Sequence, residues 1–201
     1  RDMVITNWQF YNEQTRHISP SRQIQHAPIT PERDMLKDII IQKNMSVFHL
    51  CTALYRSDTF RKAYQDDSYM FRSKDFCSED MQIASAMAWY GDIAYLPDIT
   101  LNSSIGGKGV SNTSDSEKLF RFVKRSTLLI QYLSSKYQTD IREFLNERIF
   151  ELGMHAFRSH NPQLYEETLE CERKWQVEKK NKYRLLMAVM QHDGLWKLGL
   201  S

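Results

Sequence analysis

The sequence predicts an α+β fold in which helix predominates: a few strands in the first half, then a C-terminal helical bundle. Two observations carry this. Three segments, 2–11, 48–55 and 92–101, are rich in β-branched and aromatic residues and read as strands. At least six other segments repeat apolar residues at helical spacing, and from Asp115 onward that spacing is continuous.

In chain order, Asp2 to Tyr11 alternates Val4, Thr6, Trp8 and Phe10 against Ile5, Asn7, Gln9 and Tyr11, the period-two pattern of a strand. Asn12 to Ile29 is polar, carries Pro20 and Pro28, and reads as a hairpin or surface loop. Thr30-Pro31 opens a helix with Met35, Leu36, Ile39 and Ile40 as its stripe. Phe48 to Tyr55 is the second strand, and Ser57 is expected to cap a short helix with Phe60, Ala63 and Tyr64 inward. Ser78 is the expected cap of the next helix. Met81, Ala84, Ser85 and Ala88 share one of its faces, and Gly91 stops it. Pro97 interrupts the third strand, which predicts an edge or a bend there. Ile105 to Ser114 is a Gly/Ser loop.

Three helical stretches follow. Leu119, Val123, Ile130 and Leu133 mark the first, and Ile141, Phe144, Leu145, Ile149, Leu152 and Ala156 the second. The third starts at Asn161-Pro162 and carries Leu164, Tyr165, Leu169 and Trp175. The expected organisation is a mixed part over 1–113 and a helical appendage over 114–201.

Composition narrows the function classes. The chain is 41% hydrophobic and 26% charged with a mean hydropathy of −0.57, as in globular proteins, and has no run long and apolar enough to cross a bilayer. Its formal charge of +2 does not suggest nucleic acid as a partner. Cys51, Cys77 and Cys171 are odd in number and far apart, so neither a disulfide framework nor a zinc site is expected, and a reducing cytoplasmic compartment fits best. The histidines do not cluster, so no metal site is expected from them. The chain opens without Met on a strand, as a piece of a longer protein would.

The sharpest chemical candidate is Ser78-Glu79-Asp80. Acids in a first turn complement the helix dipole, which is what any helix start prefers. The same position could hold a general base aimed at an acceptor hydroxyl. Gly106-Gly107-Lys108-Gly109 lacks the Ser or Thr that a phosphate-binding P-loop needs after its Lys, but a mobile loop with Lys108 turned to a phosphate remains open beside an ordinary turn. The segment from Cys171 is basic and aromatic, with Arg173, Lys174, Lys179, Lys180, Lys182, Arg184 and Lys197 among Trp175, Tyr183 and Trp196. That composition suits a helix on an anionic membrane surface, and equally one that packs Leu186, Val189 and Met190 on a bundle.

The order of these pieces resembles the C-terminal half of a family 2 glycosyltransferase of the GT-A fold. The residues that carry the resemblance are Tyr55-Arg56 at a strand end, Glu79-Asp80 with Gly91 at the end of the helix they open, Ile93-Ala94-Tyr95-Leu96-Pro97, and Asn102-Ser103-Ser104 leading into Gly106–Ser111. It covers about Arg1 to Ser111. It implies a partial GT-A fold and inverting transfer of a sugar from a nucleotide-sugar to a glycan or lipid-linked acceptor in cell-envelope polysaccharide synthesis. Asp80 would be the base, with Glu79 orienting the acceptor, and Arg56, Lys108 and Ser111 would be acceptor or loop contacts. The resemblance further implies a divalent metal, Mn²⁺ or Mg²⁺, in the full-length enzyme. The nucleotide-binding half and its Asp-x-Asp segment are missing from this chain, so the expectation is that the chain alone is inactive. The expected place of action is the cytoplasm, peripheral on the inner face of the membrane. The alternative is a non-catalytic helical interaction module with a basic aromatic tail.

Overall fold

The computed structural model describes residues 2–20, 29–30, 50–105, 114–178 and 180–192. The helix expected from Pro31, the start of the second strand at Phe48, loop residues Lys108 and Ser111, and tail residues Lys179, Trp196 and Lys197 lie outside the described residues. The fold is α+β with helix predominating, as the sequence predicts. Its strands are β1 (Met3–Asn12), β2 (His17–Pro20), β3 (Ile29–Thr30), β4 (Ala53–Tyr55) and β5 (Ile93–Ile105). Its helices are α1 (Ser57–Asp66), α2 (Ser68–Arg72), α3 (Glu79–Tyr90), α4 (Ser116–Tyr137), α5 (Arg142–Ser159), α6 (Pro162–Trp175) and α7 (Asn181–Met190).

Two compact units divide the chain: Arg1–Gly107 with Tyr132–Thr139, and Lys108–Gln131 with Asp140–Ser201. The C-terminal end of α4 belongs with the first unit because its side chains bond there. Tyr132 and Lys136 reach Asp67, and Tyr137 stacks on Trp89 with ring centroids 4.5 Å apart. Helical periodicity says nothing about such long-range polar bonds, so by periodicity alone all of 114–201 falls in the appendage.

The first unit is built on a mixed sheet of order β2-β1-β5-β3, with β4 also on β1. β1 and β5 are parallel, and the other pairs are antiparallel. β1 turns into β2 through Glu13–Arg16, where the Asn12 side chain accepts the backbone N–H groups of Gln14 and Thr15 at 2.9 and 3.0 Å. The expected bend at Pro97 is present: Thr6 pairs with Leu96 but Asn7 with Ile99, and the register shifts again at Trp8, opposite Leu101. Proline cannot donate to the ladder, so the pairing skips it. On one sheet face Met3, Ile5, Ile93 and Tyr95 are buried, while Leu54, Leu96 and Ile99 are exposed. Among the described residues 50–55, Ala53–Tyr55 is strand and Leu50–Thr52 is a 3-10 turn, so the expected strand over 50–55 is corrected to three paired residues.

Two expected caps work differently. Ser57 is the first helical residue of α1 and Arg56 the cap, without a side-chain bond. Gly91 does end α3, but in extended backbone (φ −159°) rather than the left-handed form. What requires glycine there is space: a Cβ at this position would lie 2.4 Å from the Asp2 Cβ. Asp2 itself accepts from the Thr59 hydroxyl at 2.7 Å and the Asp92 N–H at 3.2 Å, and these bonds hold its carboxyl below the usual range.

The second unit packs α5 against α6 and α7. Asn161 caps α6 as predicted, accepting the Gln163 N–H at 3.0 Å, with Pro162 in the first turn. Its core includes Phe120, Val123, Leu145, Ile149, Leu152, Leu164, Trp175, Tyr183, Met187 and Met190. α5 and α7 meet closely at Gly153, where a Cβ would come within 3.0 Å of Leu186. Two carboxylates are paired here, Glu167 half-buried and Glu172 buried. Glu167 accepts Arg121 and Lys124, both at 2.7 Å, and Glu172 accepts the Tyr183 hydroxyl at 2.8 Å.

Candidate active site

Glu79 and Asp80 are the first two residues of α3, in the first unit. The chain enters the helix through Ser78 in the left-handed region (φ 76°, ψ 68°), a conformation that costs a non-glycine residue on the order of 1 kcal/mol. Ser78 stands at the predicted cap position but makes no capping bond with its side chain; its hydroxyl instead faces the Cys77 sulfur at 3.9 Å. The Ser78 carbonyl accepts Met81 N–H at 3.0 Å.

α3 differs from the one-faced helix expected. Gln82, Ala86 and Met87 are buried together with Met81, Ala84, Ser85 and Ala88, which makes seven of its twelve residues. Small residues at 84, 85, 86 and 88 allow close approach on several sides, and the buried Gln82 amide is satisfied by the Met70 carbonyl at 2.7 Å. A helix held on most sides is a rigid mount for what stands at its end. A short turn at Gly91–Asp92 leads the chain from α3 into β5.

Glu79 is exposed and Asp80 half-buried. Asp80 Oδ1 accepts the Met81 N–H at 2.8 Å, and neither carboxylate has an ion-pair partner among the described residues. The Glu79 carboxylate and Asp80 Oδ2 therefore accept nothing among the described residues. Such a pair can accept a proton from a hydroxyl and orient a polyol.

Arg56 is not brought to this pair. It stands at the start of α1, its N–H donating to the Asp2 carbonyl at 2.8 Å, and no hydrogen bond or ion pair joins it to either acid among the described residues. Lys108 and Ser111 lie outside the described residues. Of the basic aromatic tail, Trp175 and Tyr183 are buried in the second unit, whereas Arg173, Lys174, Lys182 and Arg184 are exposed. Lys182 lies over the Phe150 ring at 4.3 Å, and Leu185 is 69% exposed. No helix among the described residues is long and apolar enough to cross a membrane. No group of three or more His, Cys, Asp or Glu among the described residues is placed to hold a metal ion.

A concavity not anticipated from the sequence lies in the second unit between the N-terminus of α5 and the end of α6. The signal that could have found it is Asn146, a polar residue directly after Phe144 and Leu145 in an apolar stripe, and 9% exposed in the structure. No protein-family model, curated protein or solved structure matches the chain.

Proposed function

We propose that the chain is the acceptor-side part of an inverting glycosyltransferase with a partial GT-A fold, moving a sugar from a nucleotide-sugar to a glycan or lipid-linked acceptor in cell-envelope polysaccharide synthesis. The observation that carries the reading is the uncommitted pair Glu79–Asp80 at the mouth of the buried helix α3, entered through strained Ser78. Strain of that kind is kept where a site needs it.

In this reading Asp80 takes the proton of an acceptor hydroxyl as that oxygen attacks the anomeric carbon. The nucleoside diphosphate leaves from the opposite face, so configuration inverts. Asp80 Oδ2 is the proton acceptor, since Oδ1 is held by the Met81 N–H. Glu79 beside it hydrogen-bonds the acceptor. The resemblance also implies Mn²⁺ or Mg²⁺ on an Asp-x-Asp segment that this sequence lacks; the described residues do not fit a metal ion, and no step here runs through one. A peripheral place on an anionic inner membrane face belongs to the same proposal. It is supported by exposed Arg173, Lys174, Lys182 and Arg184 beside Leu185.

The test uses the full-length gene product that carries this sequence, with UDP- and GDP-sugars and glycan or lipid-linked acceptors. Asp80→Asn is expected to lower kcat by about 10²–10⁴-fold with the donor KM unchanged, the usual contribution of a general base. Glu79→Gln is expected to act mainly on the acceptor KM. Retention of more than about a tenth of the activity by Asp80→Asn would overturn the assignment. Calorimetry of the 201-residue chain with the same donors and Mn²⁺ is expected to show no tight binding.

A further inference from the structure

Tyr132 stands near the C-terminal end of α4, in the part of that helix that belongs to the first unit, and it is half-buried. Its ring centroid lies 5.4 Å from that of Phe76 and 5.6 Å from that of Tyr69, and Phe76 meets Tyr69 edge-on at 5.7 Å. Each ring of this trio lies against the other two, so none can shift without displacing its neighbours. The hydroxyl of Tyr132 is held as well, donating to both Asp67 oxygens at 2.8 and 2.9 Å. Phe76 is buried and leads through Cys77 directly into Ser78, which enters α3 with φ 76°.

A second tie closes the bracket around that entry. The Gln82 side chain donates to the Met70 carbonyl at 2.7 Å, and its backbone N–H donates to the Ser78 carbonyl at 3.2 Å. The Met70 N–H in turn donates to Asp67 at 3.1 Å. The segment from α2 to the start of α3 is therefore tied through Gln82 on one side and through the ring trio on the other, with Ser78 between. A serine in the left-handed region relaxes to ordinary backbone unless its surroundings hold it there. Glu79 and Asp80 follow Ser78 directly, so its backbone sets the direction in which they leave the loop. Tyr132 engages both sides of the bracket, Phe76 with its ring and Asp67 with its hydroxyl. We infer that Tyr132 is a positioning residue for the Glu79–Asp80 pair, its ring bracing Phe76 and so fixing the strained entry at Ser78. This role in catalysis rests on the transferase reading of the pair, whereas the brace itself can be read without any activity.

Backbone NMR of the labelled 201-residue chain reads the brace. Tyr132→Leu and Phe76→Leu each remove a ring and are expected to lower the amide order parameters of Ser78, Glu79 and Asp80 from about 0.85 to below about 0.6. The Ser78 Cα shift is expected to move off its left-handed value in the same variants. Tyr132→Phe keeps the ring and loses the bonds to Asp67, so it is expected to leave those signals in place while lowering the urea midpoint. Tyr69→Leu, at an exposed position that does not threaten folding, is expected to loosen the same amides in part and serves if the other ring variants unfold. In the full-length gene product, kcat is expected to fall about 10- to 10²-fold in Tyr132→Leu and Phe76→Leu with the donor KM unchanged, and to stay within about twofold in Tyr132→Phe, because a small misplacement of a catalytic group costs that much. The Tyr132→Phe result separates positioning from stability: a merely structural tyrosine would lose kcat in step with its urea midpoint. Absence of sugar transfer by the unsubstituted gene product would overturn the transferase reading, and the brace would then stand or fall on the amides alone. Three results would each overturn the positioning role: unmoved Ser78–Asp80 signals in every folded ring variant; loosened amides with unchanged kcat; or a kcat in Tyr132→Phe as low as in Tyr132→Leu.

Discussion

Replacing Asp67 by Ala removes an acceptor that three donors share. The carboxylate is 5% exposed and sits at the start of α2. It accepts the Met70 N–H at 3.1 Å, the Tyr132 hydroxyl at 2.8 and 2.9 Å, and the Lys136 ammonium at 2.8 Å. The lost cap costs about 1 kcal/mol. Stranding a partly buried ammonium and a phenol adds the cost of breaking a buried pair, about 3–5 kcal/mol, at the low end here because Lys136 is 23% exposed and can reach water. The expected total is about 4 kcal/mol for Asp67→Ala. Asp67→Asn keeps an oxygen for Met70 and Tyr132 and is expected to cost about 2 kcal/mol. Burial pushes this carboxyl up, but the bonds from Lys136, Tyr132 and the Met70 N–H outweigh it and hold the folded value below the ordinary one. Its contribution is therefore full above the unfolded value of about 3.9 and is lost as pH falls through the folded one. Urea unfolding at pH 7 and again near pH 3, read by tryptophan fluorescence, measures both effects; the Asn variant is expected to show the smaller acid loss. The neighbouring Asp66 is 56% exposed and lies 3.6 Å from Lys136, so Asp66→Asn serves as the control and is expected to cost under about 1 kcal/mol. A cost for Asp67→Ala within 1 kcal/mol of zero, or equal costs at 66 and 67, would refute the reasoning.

Gly91→Ala is expected to cost about 1–3 kcal/mol in thermal unfolding, because the added methyl meets Asp2 and not because of backbone strain; adding Asp2→Gly should return part of it. Tyr183→Phe leaves the buried Glu172 carboxylate short of a donor and is expected to lower stability by about 1–3 kcal/mol, read by urea midpoint. His155 is buried with its Nδ1 lacking a hydrogen-bond partner among the described residues, and burial holds its pKa below the usual 6.5. The unfolded chain therefore takes the proton first, stability is lost as pH falls through 6.5, and His155→Leu should flatten the slope between pH 8 and 5; an unchanged slope would show that another group titrates there.

The helices of the second half were legible because amphipathic spacing and caps are local. Asn161-Pro162 states a helix start in two residues, and the structure puts the bond where the chemistry says. β1 and the bend at Pro97 were legible for the same reason. The second strand is shorter than its sequence suggests over the described residues 50–55, because a short, mostly apolar run does not reveal how many of its residues find a partner. Nor did α3 betray its burial. Alanine and serine are neutral in an amphipathic count, yet they are the residues that let other elements approach from several sides.

The candidate site shows where local reading runs out. Two stretches of this chain look alike on paper: Asp66-Asp67-Ser68 and Ser78-Glu79-Asp80 each set two acids beside a serine, and in each an acid stands at a helix start. Local chemistry assigns both to capping and to the helix dipole. The fold separates them. Asp67 is consumed by Tyr132 and Lys136, which arrive from 65 and 69 positions along the chain, and its second oxygen has no capacity left for a substrate. Around Glu79 and Asp80 no described cation arrives, and among the described residues Asp80 accepts only from its own helix. A carboxylate that the fold has spent is a strut; one it has mounted rigidly and left uncommitted has its lone pairs free for chemistry. That difference lies entirely in long-range partners, so it could not be read from residues 66–80, and it is why Asp80 rather than Asp67 is the acid to test for catalysis.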